Sequence, residues 1–340
     1  MFAKLWARTR SWFEKLFPQE PEPGRFESGS EWSVHGFLAS APFVLPSREF
    51  LVYIPKGRSL WRRAPLVVLC HGCKQTPEEF AQGTRITELA DREGFVVLLP
   101  RQKDHANPWR CWNWFDTRTM SGKGEAAIVA AQIRFVRRRY RCHRKRVLVA
   151  GMSAGGAFAA LMGLRYPRLV SAVAAHSGLA CGAAKSPLSA IGVMQTGPEQ
   201  DVEAIGDAAR AAARPRDLPI PLLAVHGGSD PVVSPRNAAA LVRQYLHLNG
   251  HASARATSGD VGETAAALPD ADSETRTTLA SGRTEVVREW RSDGRLVVRY
   301  VEVTGLGHAW SGGDPSLAYN DAEAPDATAL VGTFFADALS

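Results

Sequence analysis

A serine stands between two glycines in Gly151-Met152-Ser153-Ala154-Gly155, where an apolar run gives way to a helix-like one. A hydroxyl is a poor nucleophile at neutral pH. It reacts when an imidazole takes its proton and a carboxylate fixes the tautomer and charge of that imidazole. Gly-x-Ser-x-Gly at a strand-to-helix turn has a mechanical meaning. The turn is so tight that the serine takes a strained backbone conformation and its side chain projects above the sheet. A Cβ on either flanking residue would crowd the approaching strand or helix, hence Gly151 and Gly155. The helix behind it aims N–H groups and its positive end at the reaction centre.

On such a turn the remaining partners follow in the order acid, then histidine. Asp230 closes "LLAVHGGSD" at the carboxyl end of an expected strand, the sheet edge where Ser153 sits. His308 lies in "VTGLGHAWSGG", a glycine-flanked loop after the last expected strand, able to reach back over the serine. The rivals fit less well. His176 follows a strand but precedes any candidate acid. His247 and His251 lie on or just beyond a helix, and His226 sits inside the strand that leads to Asp230. Asp314 is the alternative acid, on the same loop as His308. A tetrahedral oxyanion needs two N–H donors. The amide of Ala154, directly after the nucleophile, is one. The amide of Cys73, in the His71-Gly72-Cys73 loop, fits as the other.

The elements that must hold these groups are legible as alternation. "REFLVYIP" (48–55), "APLVVLC" (64–70), "FVVLLP" (95–100), "KRVLVAG" (145–151), "LVSAVAAHSG" (169–178) and "IPLLAVHGGSD" (220–230) read as strands. Residues 77–94, 125–140, 154–166 and 234–250 read as helices, with Gly94 as a C-cap. Continuous apolar strands alternating with helices call for a mostly parallel sheet covered on both faces. Residues 283–305 read as a hairpin turning at Asp293-Gly294. Residues 181–217 read as an insertion over one edge, and 252–281 as a polar, mobile loop. The chain then divides into an N-terminal segment, 1–24, and one catalytic domain, 25–340.

Hydrophobic residues make up 45% of the 340, enough for a sizeable core. Basic side chains outnumber acidic ones by 41 to 34. Much of the excess lies between Arg134 and Arg146, which reads as the solvated end of a helix. An anionic surface patch is the alternative. Neither zinc-finger spacing nor aromatic–basic interleaving supports a nucleic-acid partner. No apolar stretch is long enough to span a bilayer. Residues 2–17 have the pattern of an amphipathic helix, with Phe2, Leu5, Trp6, Phe13, Leu16 and Phe17 near one face. This reads either as a helix docked on its own protein or as an interfacial anchor for a membrane or hydrophobic particle. Charges interrupt any signal-peptide core, which favours a cytoplasmic or granule-associated protein. Cys70-His71-Gly72-Cys73 lacks a second ligand pair, so no metal site is expected.

"VVLCHGCKQTPEEFAQGTRITELADREGFVVLLP", "NPWRCWNWF", "VLVAGMSAGGAFAALMGLRYPRLVSAVAAHSG", "HGGSDPVV" and "GLGHAWSGG" together resemble the poly(3-hydroxybutyrate) depolymerase family of esterases. These are α/β-hydrolases related to feruloyl and acetylxylan esterases. The resemblance runs from about Phe37 to the C-terminus. It implies Ser153 as nucleophile, Asp230 as acid, His308 as base, and the amides of Cys73 and Ala154 for the oxyanion. It also implies a Cys73–Cys111 disulfide in an oxidising setting, and thiols in a reducing one. Trp112, Trp114 and Trp310 flank the expected site; they read either as ordinary core tryptophans or as flat apolar rings that suit an aliphatic polyester.

The reading is a serine carboxylesterase acting on short-chain polyhydroxyalkanoate polymers or oligomers through an acyl-enzyme, a route that needs no metal or organic cofactor. A feruloyl or acetylxylan esterase is the alternative within the same chemistry. A silent granule- or membrane-surface protein is the alternative outside it.

Overall fold

The structure, a computed structural model, describes residues 24–32, 47–58, 62–257 and 268–338. The amphipathic pattern at 2–17 lies outside them. β1 (Arg25–Trp32) and β2 (Ser47–Ile54) pair antiparallel. β3 (Ala64–Cys70) leads into two short helices, α1 (Pro77–Thr84) and α2 (Ile86–Glu93), then β4 (Val96–Pro100). The single-turn α3 (Thr117–Met120) precedes α4 (Gly124–Arg139), β5 (Cys142–Met152), α5 (Ala154–Arg165) and β6 (Ala172–His176). Next come α6 (Pro187–Thr196), α7 (Glu203–Ala212), β7 (Leu222–Gly227) and α8 (Arg236–Asn249). β8 (Ser273–Thr278), β9 (Thr284–Ser292) and β10 (Arg295–Val303) complete a ten-stranded sheet. A two-residue pair, β11 (Trp310–Ser311) with β12 (Asn320–Asp321), and α9 (Ala327–Ala338) close the chain.

Strand order is β1-β2-β4-β3-β5-β6-β7-β10-β9-β8. The middle six strands run parallel. Their side chains alternate between two apolar layers, which is why these segments are apolar without a break. Leu66, Val68, Val147 and Val149 face a layer with Ile133 of α4, Phe158 of α5 and Tyr245 of α8. Val67, Leu69, Leu148 and Ala150 face Phe80 of α1, Leu89 of α2 and Phe334 of α9.

The order reverses at β3. The chain goes from β3 to β4 on one side and then returns to β5 on the other, so the loops after β3 and β5 open side by side. That is the crevice where open α/β sheets hold ligands. Register brings the other carboxyl ends level: Cys70 pairs with Gly151, Met152 with His176, His176 with Val225, and Gly227 with Val303. Turns after five parallel strands therefore leave the sheet at one rim.

Three elements depart from the sequence reading. The helix expected over 77–94 breaks at Arg85, whose φ is 52°. There the Gly83 carbonyl accepts the N–H of Asp314 and the Thr84 carbonyl accepts the Thr328 hydroxyl, so the last turn of α1 serves the C-terminal loop instead of continuing. Within the expected loop 252–281, residues 273–278 form β8, exposed on both faces and held by backbone pairing to β9. "SETRTT" carries no apolar side chain to announce a strand. β1 is the third, an edge strand also without clear alternation. The hairpin turn is as expected: Asp293 and Gly294 have φ of 51° and 77°, the left-handed pair that joins tightly twisted strands. Residues 181–217 hold α6 and α7, and α7 packs on α8.

Gly192 lies exposed inside α6, and a Cβ there would meet nothing within 4 Å. Gly192→Ala is expected to stabilise the protein by about 0.5–1 kcal/mol through reduced backbone freedom of the unfolded chain. Thermal unfolding checks it. An unchanged or lower midpoint would mean that α6 is frayed in solution.

Candidate active site

β5 ends at Met152 and α5 begins at Ala154, leaving one residue to turn the chain. Ser153 makes that turn at φ 56° and ψ −122°. A non-glycine residue held there stores roughly 1–3 kcal/mol of strain. Its N–H donates to the His176 carbonyl at 2.9 Å, and its carbonyl accepts the Ala157 N–H at 2.9 Å. The flanking glycines are forced by contact. A Cβ on Gly155 would lie 2.2 Å from the Cys70 carbonyl oxygen and 2.5 Å from that of His71. One on Gly151 would lie 2.5 Å from the Gly155 carbonyl. The first turn of α5 is thus pressed against the end of β3.

Asp230 and His308 approach through a second tight contact. After β7, the Gly228 N–H donates to Val303 and the Ser229 N–H to Leu306. A Cβ on Gly227 would sit 2.3 Å from the Leu306 carbonyl oxygen. The two turns are stitched together, and His308 Nδ1 lies 2.8 Å from Asp230 Oδ2. Asp230 Oδ1 accepts the N–H groups of Val232 and Val233, both at 2.9 Å. Burial pushes the Asp230 carboxyl up. The His308 hydrogen bond and charge, with the two backbone donors, outweigh it and hold the group at about 2. It is an anion at neutral pH and can stabilise an imidazolium. Ser153, His308, Gly72 and Cys73 line one cavity of about 290 Å³.

Among the described residues, the N–H groups of Cys73 and Ala154 find no acceptor. The loop carrying Cys73 is braced from several sides. Gln75 Oε1 accepts the Gly72 N–H at 2.9 Å. His71 Nδ1 lies 2.8 Å from the Gly72 carbonyl, and its Nε2 accepts the Gln102 N–H at 3.2 Å. Burial pushes His71 down to about 4, so it is neutral and acts as a spacer. The Lys74 N–H donates to the Trp109 carbonyl at 2.6 Å. Cys73 is disulfide-bonded to Cys111. Its sulfur is therefore engaged, which removes Cys70-His71-Gly72-Cys73 from consideration as a metal motif.

The structure does not bring Trp112, Trp114 or Trp310 to the cavity. Trp112 is fully buried, stacks on Phe158 at 4.6 Å and donates to the His71 carbonyl at 3.1 Å. Trp114 is buried edge-on to Phe115. Trp310 is buried against His176 and Phe80, with its N–H on Thr328 Oγ1 at 3.0 Å. Each ring has the partners of a core tryptophan. The apolar walls come instead from Trp109, Met152, Met194, Val232 and Tyr319. Met194 and Tyr319 lie on segments whose position no spacing announces. Trp109 stands in the tryptophan-rich loop, but nothing in the sequence distinguishes it from its neighbours.

Sequence reasoning also passes over Glu125. It is buried at the start of α4 and accepts the Asn113 N–H at 2.9 Å, Asn113 Nδ2 at 2.7 Å and Gln102 Nε2 at 2.6 Å. Gln102 also donates to the Cys111 carbonyl at 3.0 Å. One buried carboxyl therefore anchors the loop that carries Cys111. In sequence it is only an acidic first-turn residue, suited to the helix dipole.

A family model described as esterase PHB depolymerase matches residues 48–268. The chain belongs to this esterase family. The matched span holds Ser153 and Asp230 and stops short of His308. Among curated relatives, poly(3-hydroxyalkanoate) depolymerase C of Paucimonas lemoignei is 30% identical over 204 residues, 59% of this chain and 49% of that protein. The chain thus spans about half the length of that relative. Feruloyl esterase B of Neurospora crassa is 29% identical over 220 residues, 61% of this chain and 72% of that one. Among solved structures, an acetyl xylan esterase from Aspergillus awamori aligns with a TM-score of 0.64 at 18% identity, covering 84% of this chain and 94% of that one. The PHB depolymerase-family chain has the α/β-hydrolase fold.

The disulfide closes a loop of 38 residues, so Cys73→Ser with Cys111→Ser should lose about 4 kcal/mol in denaturant unfolding. A loss under about 1 kcal/mol would show that the buried Glu125 network alone holds the loop. Asp230 has a folded value below its unfolded one, so its contribution is present above the unfolded value and lost as pH falls towards about 2. Asp230→Asn should therefore cost about 2 kcal/mol at pH 7 and almost nothing near pH 2. A cost that does not change with pH would contradict this.

Proposed function

We propose that this chain is a serine carboxylesterase acting on short-chain polyhydroxyalkanoate polymers or oligomers. The observation that carries the reading is the 2.8 Å His308–Asp230 bond beside the cavity that the Ser153 elbow also lines. In this scheme His308 takes the Ser153 proton as the oxygen attacks the ester carbonyl. Asp230 holds the imidazole by Nδ1 and stabilises its charge. The free N–H groups of Cys73 and Ala154 receive the oxyanion. His308 returns the proton to the leaving alcohol, and water activated by the same imidazole releases the acyl group from Ser153.

The surroundings favour an aliphatic polyester. The cavity wall is mostly apolar, and its exposed members include Trp109 (61%), Val232 (42%) and Tyr319 (36%). Leu188 (80%) and Ile191 (46%) continue the apolar exposure along α6, the helix that supplies Met194 to the wall. Such a rim suits contact with an apolar chain or solid. The relatives named for feruloyl and acetylxylan esters make a carbohydrate ester the second reading, since an exposed indole also stacks on a sugar. The amphipathic pattern of residues 2–17 further suggests seating on a polymer granule or membrane surface.

Ser153→Ala should abolish hydrolysis, by about 10⁴-fold or more, with an unchanged unfolding curve. Retained hydrolysis would end the proposal. Across hydroxybutyrate polymer, defined oligomers, feruloyl esters and acetyl-xylan, kcat/KM should be highest on the hydroxybutyrate substrates. A preference for the sugar esters would replace polyester by carbohydrate ester. Trp109→Ser should weaken action on polymer more than on a soluble short ester. Deleting residues 1–20 should lower partition onto polymer particles, and unchanged partition would remove that role.

A further inference from the structure

A larger concavity than the one beside Ser153 opens at the other end of β5, where the strand begins at Cys142. Its volume is about 750 Å³. β5 is eleven residues long, which separates the two openings by on the order of 30 Å. Among the described residues, eight arginines line it and no carboxylate does. Arg134, Arg137 and Arg138 come from the end of α4, Arg141 and Arg144 from the turn and start of β5, and Arg165 from the end of α5. Arg63, just before β3, and Arg168, just after α5, complete the set. Separate segments thus converge on one cavity with the same side chain.

A solvated helix end does not account for this. A helix C-terminus offers about half a negative charge, and three of these cations already share it. Elsewhere on this chain arginines are neutralised: Arg283 meets Asp321, Arg288 meets Glu274, and Arg299 meets Asp337. Among the described residues, none of the eight lining arginines has a carboxylate partner. Among the described residues, Arg137 Nε is buried with no hydrogen-bond acceptor. Burial, then the charges of Arg144, Arg134 and Arg138, depress the Arg137 guanidinium from its ordinary value. Like charges collected in a concavity, with an orphaned buried donor among them, are complementary to an anion.

We propose that this cavity binds a compact polyanion carrying two or more phosphoryl groups. Guanidinium forks bind phosphoryl oxygens in pairs, and arginine, not lysine, supplies every cation of the lining. A concave site of this size favours a small ligand over a flat membrane or a duplex. The site shares no residue with the Ser153 cavity.

Calorimetric titration of the full chain with tripolyphosphate tests it, at about 0.1 M salt so that diffuse attraction is screened. One-to-one saturable binding is expected. Arg138→Ala with Arg144→Ala, both exposed side chains, should weaken it by about tenfold or more. Arg92→Ala with Arg276→Ala removes the same charge from exposed ion pairs elsewhere and should leave it unchanged. Ester hydrolysis and the unfolding curve should be the same in all three proteins. Absence of saturable binding, or equal weakening by both pairs of substitutions, overturns the proposal. So does binding of a DNA duplex or of phosphatidylserine vesicles that tripolyphosphate fails to displace.

Discussion

The rim that carries Ser153 depends on one contact: the α-carbon of Gly155 against the carbonyls of Cys70 and His71. Side-chain carbon of any kind is excluded from that gap. Because it is closed, the loop after β3 and the first turn of α5 share a wall, and two unsatisfied N–H groups can face one point. The strain at Ser153 is sustained by the same closeness. The His176 carbonyl, the Gly155 backbone and the end of β3 fix the turn from three directions. A second contact of the same kind, Gly227 against Leu306, joins the turns that carry Asp230 and His308. Backbone-to-backbone approach, allowed only by glycine, assembles groups that are far apart in the chain.

Around these contacts the protein uses buried polar groups as braces. His71, His176 and Glu125 are all buried, and none lines the cavity. Desolvation holds His71 and His176 neutral, at about 4 and about 3, so each can serve as a fixed hydrogen-bonding or stacking body without adding charge near Asp230. His226 works similarly. Its Nε2 lies 2.8 Å from the Val233 carbonyl, which steadies the segment whose N–H groups bind Asp230. Removing any of these leaves a buried partner unsatisfied, a larger penalty than the bond itself is worth.

The two ends of the sheet differ sharply in chemistry. At the carboxyl ends of the strands, Ser153 and His308 line a mostly apolar cavity of about 290 Å³, and the Asp230 carboxylate holds His308 from behind. At the amino end of β5, eight arginines surround a larger one. The formal charge of +7 therefore reflects local concentration more than an evenly basic surface.

Sequence alone determined what is local. Unbroken apolar runs specify strands covered on both faces, Asp293-Gly294 specifies its turn, and Gly-Met-Ser-Ala-Gly specifies an elbow, because each follows from neighbouring residues and short-range sterics. The candidate acid and histidine could be nominated because carboxyl-end turns of parallel strands must share a rim. What needed the tertiary structure was every choice between similar residues. Trp112, Trp114 and Trp310 are packed while Trp109 is exposed, since ring placement depends on Phe158, Phe115 and Phe80, which are distant in the chain or set by the fold around them. The break at Arg85 arises because the loop at 314–328 claims two helix carbonyls. β8 forms through backbone pairing to β9 with no apolar signal of its own. The arginines at 134–144 become a cavity only when Arg63, Arg165 and Arg168 arrive from other segments. Spacing encodes local geometry, whereas side-chain exposure and charge convergence belong to contacts made across the fold.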